Sequence, residues 1–297
     1  IYTFGKYFVL MKIFEDMELA DLAVYTSNTL IFADFHIGYE EALNKQGIMV
    51  PRFQFPEVIK RLDNIFRKLK AKTIEKIIIN GDLKHEFGAI SGQEWRHTLK
   101  LLDYLGRHCR EIILVKGNHD AVLGPIAKKR SIKVVEHYLI SPMVSSTIKK
   151  LPIINNPLKK ININSKIGKI LKNKAINNKK SINGKNGIGN KNKILVIHGN
   201  EIPHKSVLEG VSTIIIGHEH PAVSIKEGPR AELFKAYLIG KWKGKSLIVQ
   251  PSFKLVTEGT DVLKEELLSP FLKQVLGNFD VVIVADKMYR FGKLKDL

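Results

Sequence analysis

Five short apolar runs are each followed within three residues by an Asp, Asn or His, and nothing else in the chain constrains its fold as tightly. The runs are "TLIFA" (29–33), "IEKIIIN" (74–80), "EIILV" (111–115), "ILVI" (194–197) and "STIIIG" (212–217). They are short, rich in β-branched residues and nearly continuous in apolar character, as strands buried on both faces are. Amphipathic patterns separate the first three. In "PEVIKRLDNIFRKLK", Val58, Ile59, Leu62, Ile65, Phe66 and Leu69 recur at three and four and predict one apolar helical stripe. Ser91-Gly-Gln-Glu94 predicts a capping box, opening a helix with Trp95, Leu99 and Leu102 inward. The C-terminal third adds "FKAYLIG", "KSLIVQP" and "FDVVIVAD", further strands with fewer helices between them. So many strands call for two packed sheets with helices outside. No internal repeat and no second independent core is evident.

Each buried run is followed by metal-type ligands. These are Asp34-x-His36, then Gly81-Asp82, then Gly117-Asn118-His119-Asp120, then His198-Gly199-Asn200, then Gly217-His218-x-His220. In open α/β sheets, ligands gather at the carboxyl ends of strands. Asp34 and His36 point the same way if the chain there stays extended, and so do His218 and His220. The glycines allow tight turns and close backbone approach to a ligand. Imidazole, carboxylate and one amide, with no thiolate, suit Mn, Fe, Zn or a related ion better than a structural zinc knot. Seven donors exceed the needs of one tetrahedral ion and suit two ions sharing a carboxylate. Two ions about 3.5–4 Å apart clamp a phosphoryl group and generate hydroxide at neutral pH. Taken singly, each piece has a plainer meaning. His198 alone reads as a hydrogen-bonded histidine, and Gly-Asn-His-Asp as a turn. Together and in this order they point to a metal centre.

Composition bears on partners. The chain has 297 residues, with 48 Lys and Arg against 29 Asp and Glu, for a net charge of +19. Residues 146–193 hold 13 lysines and no acid, and without them the balance falls to +6. That stretch has 11 Asn and 10 Ile, no aromatic residue and no clean apolar period, and it reads as a mobile surface insertion. It is either drift in a tolerant loop or a basic arm touching nucleic acid. The lack of Arg and aromatics argues against a specific arm. The remaining chain, 11–297, reads as a single domain, with 1–10 as an N-terminal extension outside it. The N-terminus lacks the features of a signal peptide. No apolar run is long enough to span a bilayer, so no membrane partner is expected. A lone cysteine, Cys109, fits a reducing, cytoplasmic setting.

The ordered motifs resemble the signature of the calcineurin-like metallophosphoesterase superfamily. "ADFHIGYEEAL", "GDLKHEFG", "KGNHD", "IIGHEHPAV" and the terminal "FGKLKDL" resemble its archaeal ICC-like branch, related to bacterial DNA-ligase-associated phosphoesterases. The similarity spans roughly 12–145 and 194–297. It implies a four-layer α-β-β-α sandwich with two packed mixed sheets and two divalent metal ions, Mn favoured. Asp34, His36, Asp82 and His220 would hold the first ion. Asp82 would bridge to the second, completed by Asn118, His198 and His218. A metal-bound hydroxide would attack phosphorus in line. His119 would face the substrate, stabilising the transition state or protonating the leaving oxygen. Asp120 would orient His119 or simply cap the turn. Lys84 and His85 would meet substrate or support the site from behind. Relatives often carry His or Asp where this chain has Asn200, so no role is expected of that side chain.

The implied activity is hydrolysis of a phosphodiester, nucleotide or nucleic-acid related. The alternatives are a phosphomonoesterase acting on nucleotides or phosphoproteins, and a non-catalytic subunit of a DNA-processing complex. Expected partners are the phosphoester, nucleic acid, and a DNA-processing helicase or ligase.

Overall fold

The computed structural model describes residues 10–88, 90–121, 123–141 and 193–297. Nearly all of the expected N-terminal extension and of the expected insertion lies outside these residues. Two mixed sheets pack face to face. The first has seven strands in chain order: β1 (Met11–Phe14), β2 (Met17–Ala20), β3 (Ala23–Thr26), β4 (Thr29–Ala33), β5 (Lys76–Asn80), β6 (Glu111–Val115) and β7 (Lys133–Val135). Hairpins join β1 to β4, and β4 to β7 run parallel. Crossovers supply the helices. Gln54–Lys68 (α2, after the short α1, Tyr39–Lys45) links β4 to β5, and Gly92–Leu105 (α3) links β5 to β6. The expected stripe is present in α2, where Val58, Leu62, Ile65 and Phe66 are buried. The capping box at Ser91 and Glu94 is formed.

The second sheet contains β8 (His137–Ile140), β9 (Lys193–Ile197), β10 (Val211–Ile216), β11 (Pro221–Glu227), β12 (Arg230–Trp242) and β13 (Lys245–Val249). The short β14 (Thr260–Asp261) pairs with β11, and a C-terminal hairpin of β15 (Asp280–Val284) and β16 (Met288–Lys293) pairs with β12. The parallel trio β9-β10-β13 forms its centre. Its inner residues Ile194, Val196, Ile215, Tyr237 and Ile248 share one core with the first sheet. Its outer face, with Leu195, Ile214, Leu238 and Leu247, is covered by Phe271, Leu272 and Phe279. Among the described residues, all four α-helices precede Ile140, with α4 at Gly124–Arg130. The layer outside the second sheet is therefore built from irregular chain and the 3-10 turn Pro270–Leu272. No helix among these residues is long and apolar enough to cross a membrane.

Register sets the site. Ala33 pairs with Asn80, and Asn80 with Val115, so β4, β5 and β6 end side by side. Ile215 pairs with Val196 and Ile216 with Val249, which aligns the ends of β9, β10 and β13. The two bundles of strand ends meet, and Phe253 N–H, just past β13, donates to the Ala33 carbonyl at 2.8 Å.

Candidate metal centre

All seven expected ligands converge where the two sets of strand ends meet. Asp34, His36, Asp82 and His198 are buried, and His218, His220 and Asn118 border them. His36 Nε2 lies 3.2 Å from His220 Nε2 and 3.6 Å from Asp82 Oδ2. His220 Nε2 lies 3.6 Å from Asp34 Oδ2. On the other side, His198 Nε2 lies 3.5 Å from Asp82 Oδ2, 3.0 Å from Asn118 Oδ1 and 3.1 Å from His218 Nδ1. Three groups close enough to hold an ion result: Asp34-His36-Asp82-His220 and Asp82-His198-His218, which share Asp82, and His36-His85-His119 beside them.

The backbone reaches this arrangement by an unexpected route. Asp34, His36, Asp82, His218 and His220 all have positive φ, between 43° and 63°. The expectation that the chain stays extended through Asp34-x-His36 and His218-x-His220 is therefore corrected. Left-handed turns bring the alternate side chains together, at a cost of order 1–3 kcal/mol per residue. The residue between the two C-terminal histidines, Glu219, takes a separate partner. Its Oε2 accepts from Leu268 and Ser269 N–H at 2.9 and 2.8 Å, which ties the ligand loop to the segment covering the second sheet.

Glycines adjoin the ligands because no side chain fits there. A Cβ on Gly117 would lie 2.2 Å from Asp82 Oδ1, and one on Gly81 would lie 1.9 Å from His198 Nδ1.

The electrostatics suit a cation. Burial depresses the His198 imidazole, but a hydrogen bond to Asp82 and the charges of Asp34 and Asp82 outweigh it and carry the group up to about 9. Burial, then the neighbouring His198, lowers His218 to about 4. Burial, then His220, holds His36 well below the usual range. The two carboxylates thus favour positive charge between them, while the His36 and His218 imidazoles are held neutral with a free lone pair. Asp34 Oδ1 and His198 Nδ1 are buried without a hydrogen bond among the described residues. The two atoms lie 3.5 Å apart, and nitrogen and oxygen donors that converge in this way fit divalent ions.

The remaining expected residues are placed as follows. His119 is at the rim: its N–H donates to Asp82 Oδ1 at 2.9 Å, and its Nε2 lies 3.9 Å from Asp82 Oδ2. Its Nδ1 lies 2.5 Å from the His85 carbonyl. His85 is beside the cluster, with Nδ1 3.3 Å from His36 Nδ1. Asp120 does not reach the His119 ring. Its Oδ2 accepts from Gly117 N–H at 3.0 Å, and burial pushes the carboxyl up to about 7. It is the turn cap of the two expected roles. Lys84 is corrected. It is fully buried, and its ammonium donates to the carbonyls of Glu86 and His119. Spacing placed it near the site, but its side chain runs under the loop and braces it. Asn200 is exposed.

Three neighbours escaped the sequence reading. Lys254 lies over the Tyr39 ring at 4.5 Å and is within electrostatic reach of Asp34 and Asp82. Phe87 stacks on His119, with ring centroids 3.7 Å apart. The strand-end rule alone would have flagged Lys254, since it follows β13.

The family model described as Calcineurin-like phosphoesterase matches residues 27–238. The crystal structure of nuclease MPE from Pseudomonas putida superposes over 92% of this chain and 94% of that one, at 18% identity and a TM-score of 0.51. Vacuolar Protein Sorting 29 from Cryptosporidium parvum covers 89% of this chain and 97% of its own, at 15% identity and a TM-score of 0.33. A predicted phosphoesterase from Streptococcus pneumoniae TIGR4 covers 89% and 97%, at 12% identity and a TM-score of 0.30. No curated protein matches the chain.

Proposed function

The chain belongs to the calcineurin-like phosphoesterase family, which its match over residues 27–238 shows, and from that premise we propose that it is a metal-dependent phosphodiesterase acting on nucleotide or nucleic-acid substrates. One observation carries the reading. Asp82 Oδ2 lies 3.6 Å from His36 Nε2, 3.5 Å from His198 Nε2 and 3.9 Å from His119 Nε2. A single carboxylate oxygen therefore joins two ligand groups and faces His119, a histidine that belongs to neither of them.

Asp34, His36, Asp82 and His220 would hold one ion, and Asp82, Asn118, His198 and His218 the other, with manganese favoured. Such a pair supplies an activated water and polarises the phosphoryl oxygens. The chain's own residues do the rest. His119 is partly exposed, and its Nδ1–H is committed to the His85 carbonyl. Its Nε2 is then the atom that gives or receives a proton at the leaving oxygen. Asp120 and Lys84 hold the loops that carry Asn118, His119 and His85. Within the family we favour the ICC-like branch and a role beside DNA-processing enzymes, supported by the loop sequences "GDLKHEFG" and "IIGHEHPAV" and by the overall likeness to a nuclease.

The test is hydrolysis of bis(p-nitrophenyl) phosphate and of p-nitrophenyl phosphate by metal-depleted protein refilled with Mn, Zn or Fe. Diester turnover that returns with metal and exceeds monoester turnover supports the reading. Monoester preference would favour a phosphomonoesterase. Full metal loading with no turnover of any ester would favour a binding subunit.

A further inference from the structure

His119 has two stacked neighbours. The His85 ring lies with centroids 5.2 Å apart and planes 25° apart, and the Phe87 ring at 3.7 Å and 30°. Three rings therefore stack beside the candidate metal centre. Phe87 ends the stack and is 58% exposed. A large aromatic side chain on a polar loop gains little from burying one face on an imidazole while the rest meets water. Its open face is the next place in a stack that the protein has already built. Tyr39 meets His85 edge-on at 4.7 Å, and the Lys254 ammonium lies over the Tyr39 ring at 4.5 Å. An arc of rings thus runs past the metal centre from an exposed aromatic to a cation.

We propose that this arc is a subsite for an unpaired nucleic-acid strand, in which Phe87 stacks the base next to the scissile phosphate and Lys254 takes a neighbouring phosphate. The inference rests on the phosphodiesterase reading above and names its substrate class. Stacking on an exposed ring discriminates against base-paired strands, whose bases are already stacked on one another. It is indifferent to base identity, because every base has a π-face. Lys254 adds a charge without a planar fork, suited to a phosphate oxygen rather than to a base edge. The loop that carries Phe87 is held firmly enough to present it. Glu94 Oε1 accepts from the His85 and Glu86 N–H groups at 2.8 and 3.0 Å, and Lys84 braces the loop from below.

The experiment uses the full chain with Mn²⁺ and two labelled single strands of equal length and charge, oligothymidylate and an oligomer of abasic tetrahydrofuran units. Affinity is read by anisotropy at several salt concentrations, and cleavage is followed in parallel. The intact protein is expected to bind the base-containing strand about tenfold more tightly, the order of one stacked base. Phe87→Ala should collapse that ratio towards one, and Phe87→Trp should restore or raise it. Lys254→Met should weaken both strands alike and flatten the salt dependence by the loss of one phosphate contact. If Phe87→Ala lowers binding or cleavage of both strands equally, the ring is only a prop for His119 and the proposal falls. An intact protein that does not distinguish the two strands would also overturn it, as would an unchanged salt slope in Lys254→Met. Hydrolysis of bis(p-nitrophenyl) phosphate without base preference would remove the subsite and leave the phosphodiesterase reading standing. Base-selective binding with no turnover of any ester would do the reverse.

Discussion

Five of the converging ligands sit in left-handed backbone, a conformation that non-glycine residues rarely adopt unless their surroundings fix it. At Asp34 the fixing is visible. Its Oδ2 accepts the His218 N–H at 3.0 Å, so a ligand from the first sheet holds the turn that presents a ligand from the second. Asp82 plays the same part for His119, accepting that residue's N–H. The two aspartates therefore organise the turns as well as offering oxygen to an ion. Asp82→Ala should lower bound metal and activity together. His119→Ala should keep metal while turnover falls by about 10²–10⁴, the usual span for a lost acid–base group. Elemental analysis beside turnover separates the two variants, and a folded His119→Ala protein devoid of metal would refute the division of roles. The identities of these donors were legible from sequence because each follows an apolar run. Their conformation was not, since a spacing of two fits an extended chain and a pair of left-handed turns equally well. Lys84 shows the same limit, because position along the chain does not give side-chain direction.

Helix α3 reaches the site through its cap. Glu94, fully buried, completes the capping box with Ser91 and also accepts the N–H groups of His85 and Glu86. Ser91→Ala removes only a cap and should cost about 1 kcal/mol, with unchanged turnover. Glu94→Ala leaves several donors buried without a partner, each worth about 1–3 kcal/mol, and frees the loop that carries His85 and Phe87. It should lower both the melting temperature and the turnover, and equal melting losses in the two variants would contradict this linkage. Strand β12 carries a second buried tie. Lys235 donates to Ser252 Oγ and to the Thr257 and Glu258 carbonyls at 2.9–3.0 Å, and burial lowers its ammonium to about 7. The unfolded chain holds that proton up to about pH 10.5, so between these values the unfolded state binds more protons. Stability from this group is then full above about pH 10.5 and is lost as pH falls towards 7, by at most about 1.4 kcal/mol per pH unit. The melting difference between the intact protein and Lys235→Met should therefore shift in favour of the intact protein as pH rises from 7 to 10. A constant difference would mean that Lys235 titrates normally. The central strands and both long helices were legible from sequence, through runs of β-branched residues and a three-four period. The hairpins β1 to β3 were not. They are four-residue strands, and β3 is buried at every position, so no alternation marks it. The β3–β4 turn, Ser27-Asn28, has positive φ at both residues and follows the type I′ geometry without the usual glycine.

At the scale of the whole molecule, two sheets packed face to face bring their strand ends together at the site, and the excess charge sits away from that meeting point in sequence. Strands β8 and β9 are antiparallel neighbours, with Ile140 opposite Ile194. The chain therefore leaves and re-enters the second sheet at adjacent positions, and β8 is that sheet's edge. A segment whose two ends lie side by side can be shortened without moving either strand, and loop-closure entropy changes only slowly with length. Replacing residues 148–192 with a short Gly/Ser loop should leave the melting temperature within about 3 °C of the intact value, a shift of roughly 1 kcal/mol. It also removes twelve lysines. If those lysines account for binding to duplex DNA, affinity should fall sharply and the salt dependence should flatten, because fewer counterions are released. Base-dependent binding of a single strand at Phe87 should survive, since stacking does not draw on that charge. Titrations of duplex and single-stranded DNA at two salt concentrations, on the intact and shortened chains, resolve the two contributions. Equal duplex affinity and equal salt slope in both chains would move the non-specific binding to the rim of the metal centre, where Lys254 is the first residue to replace.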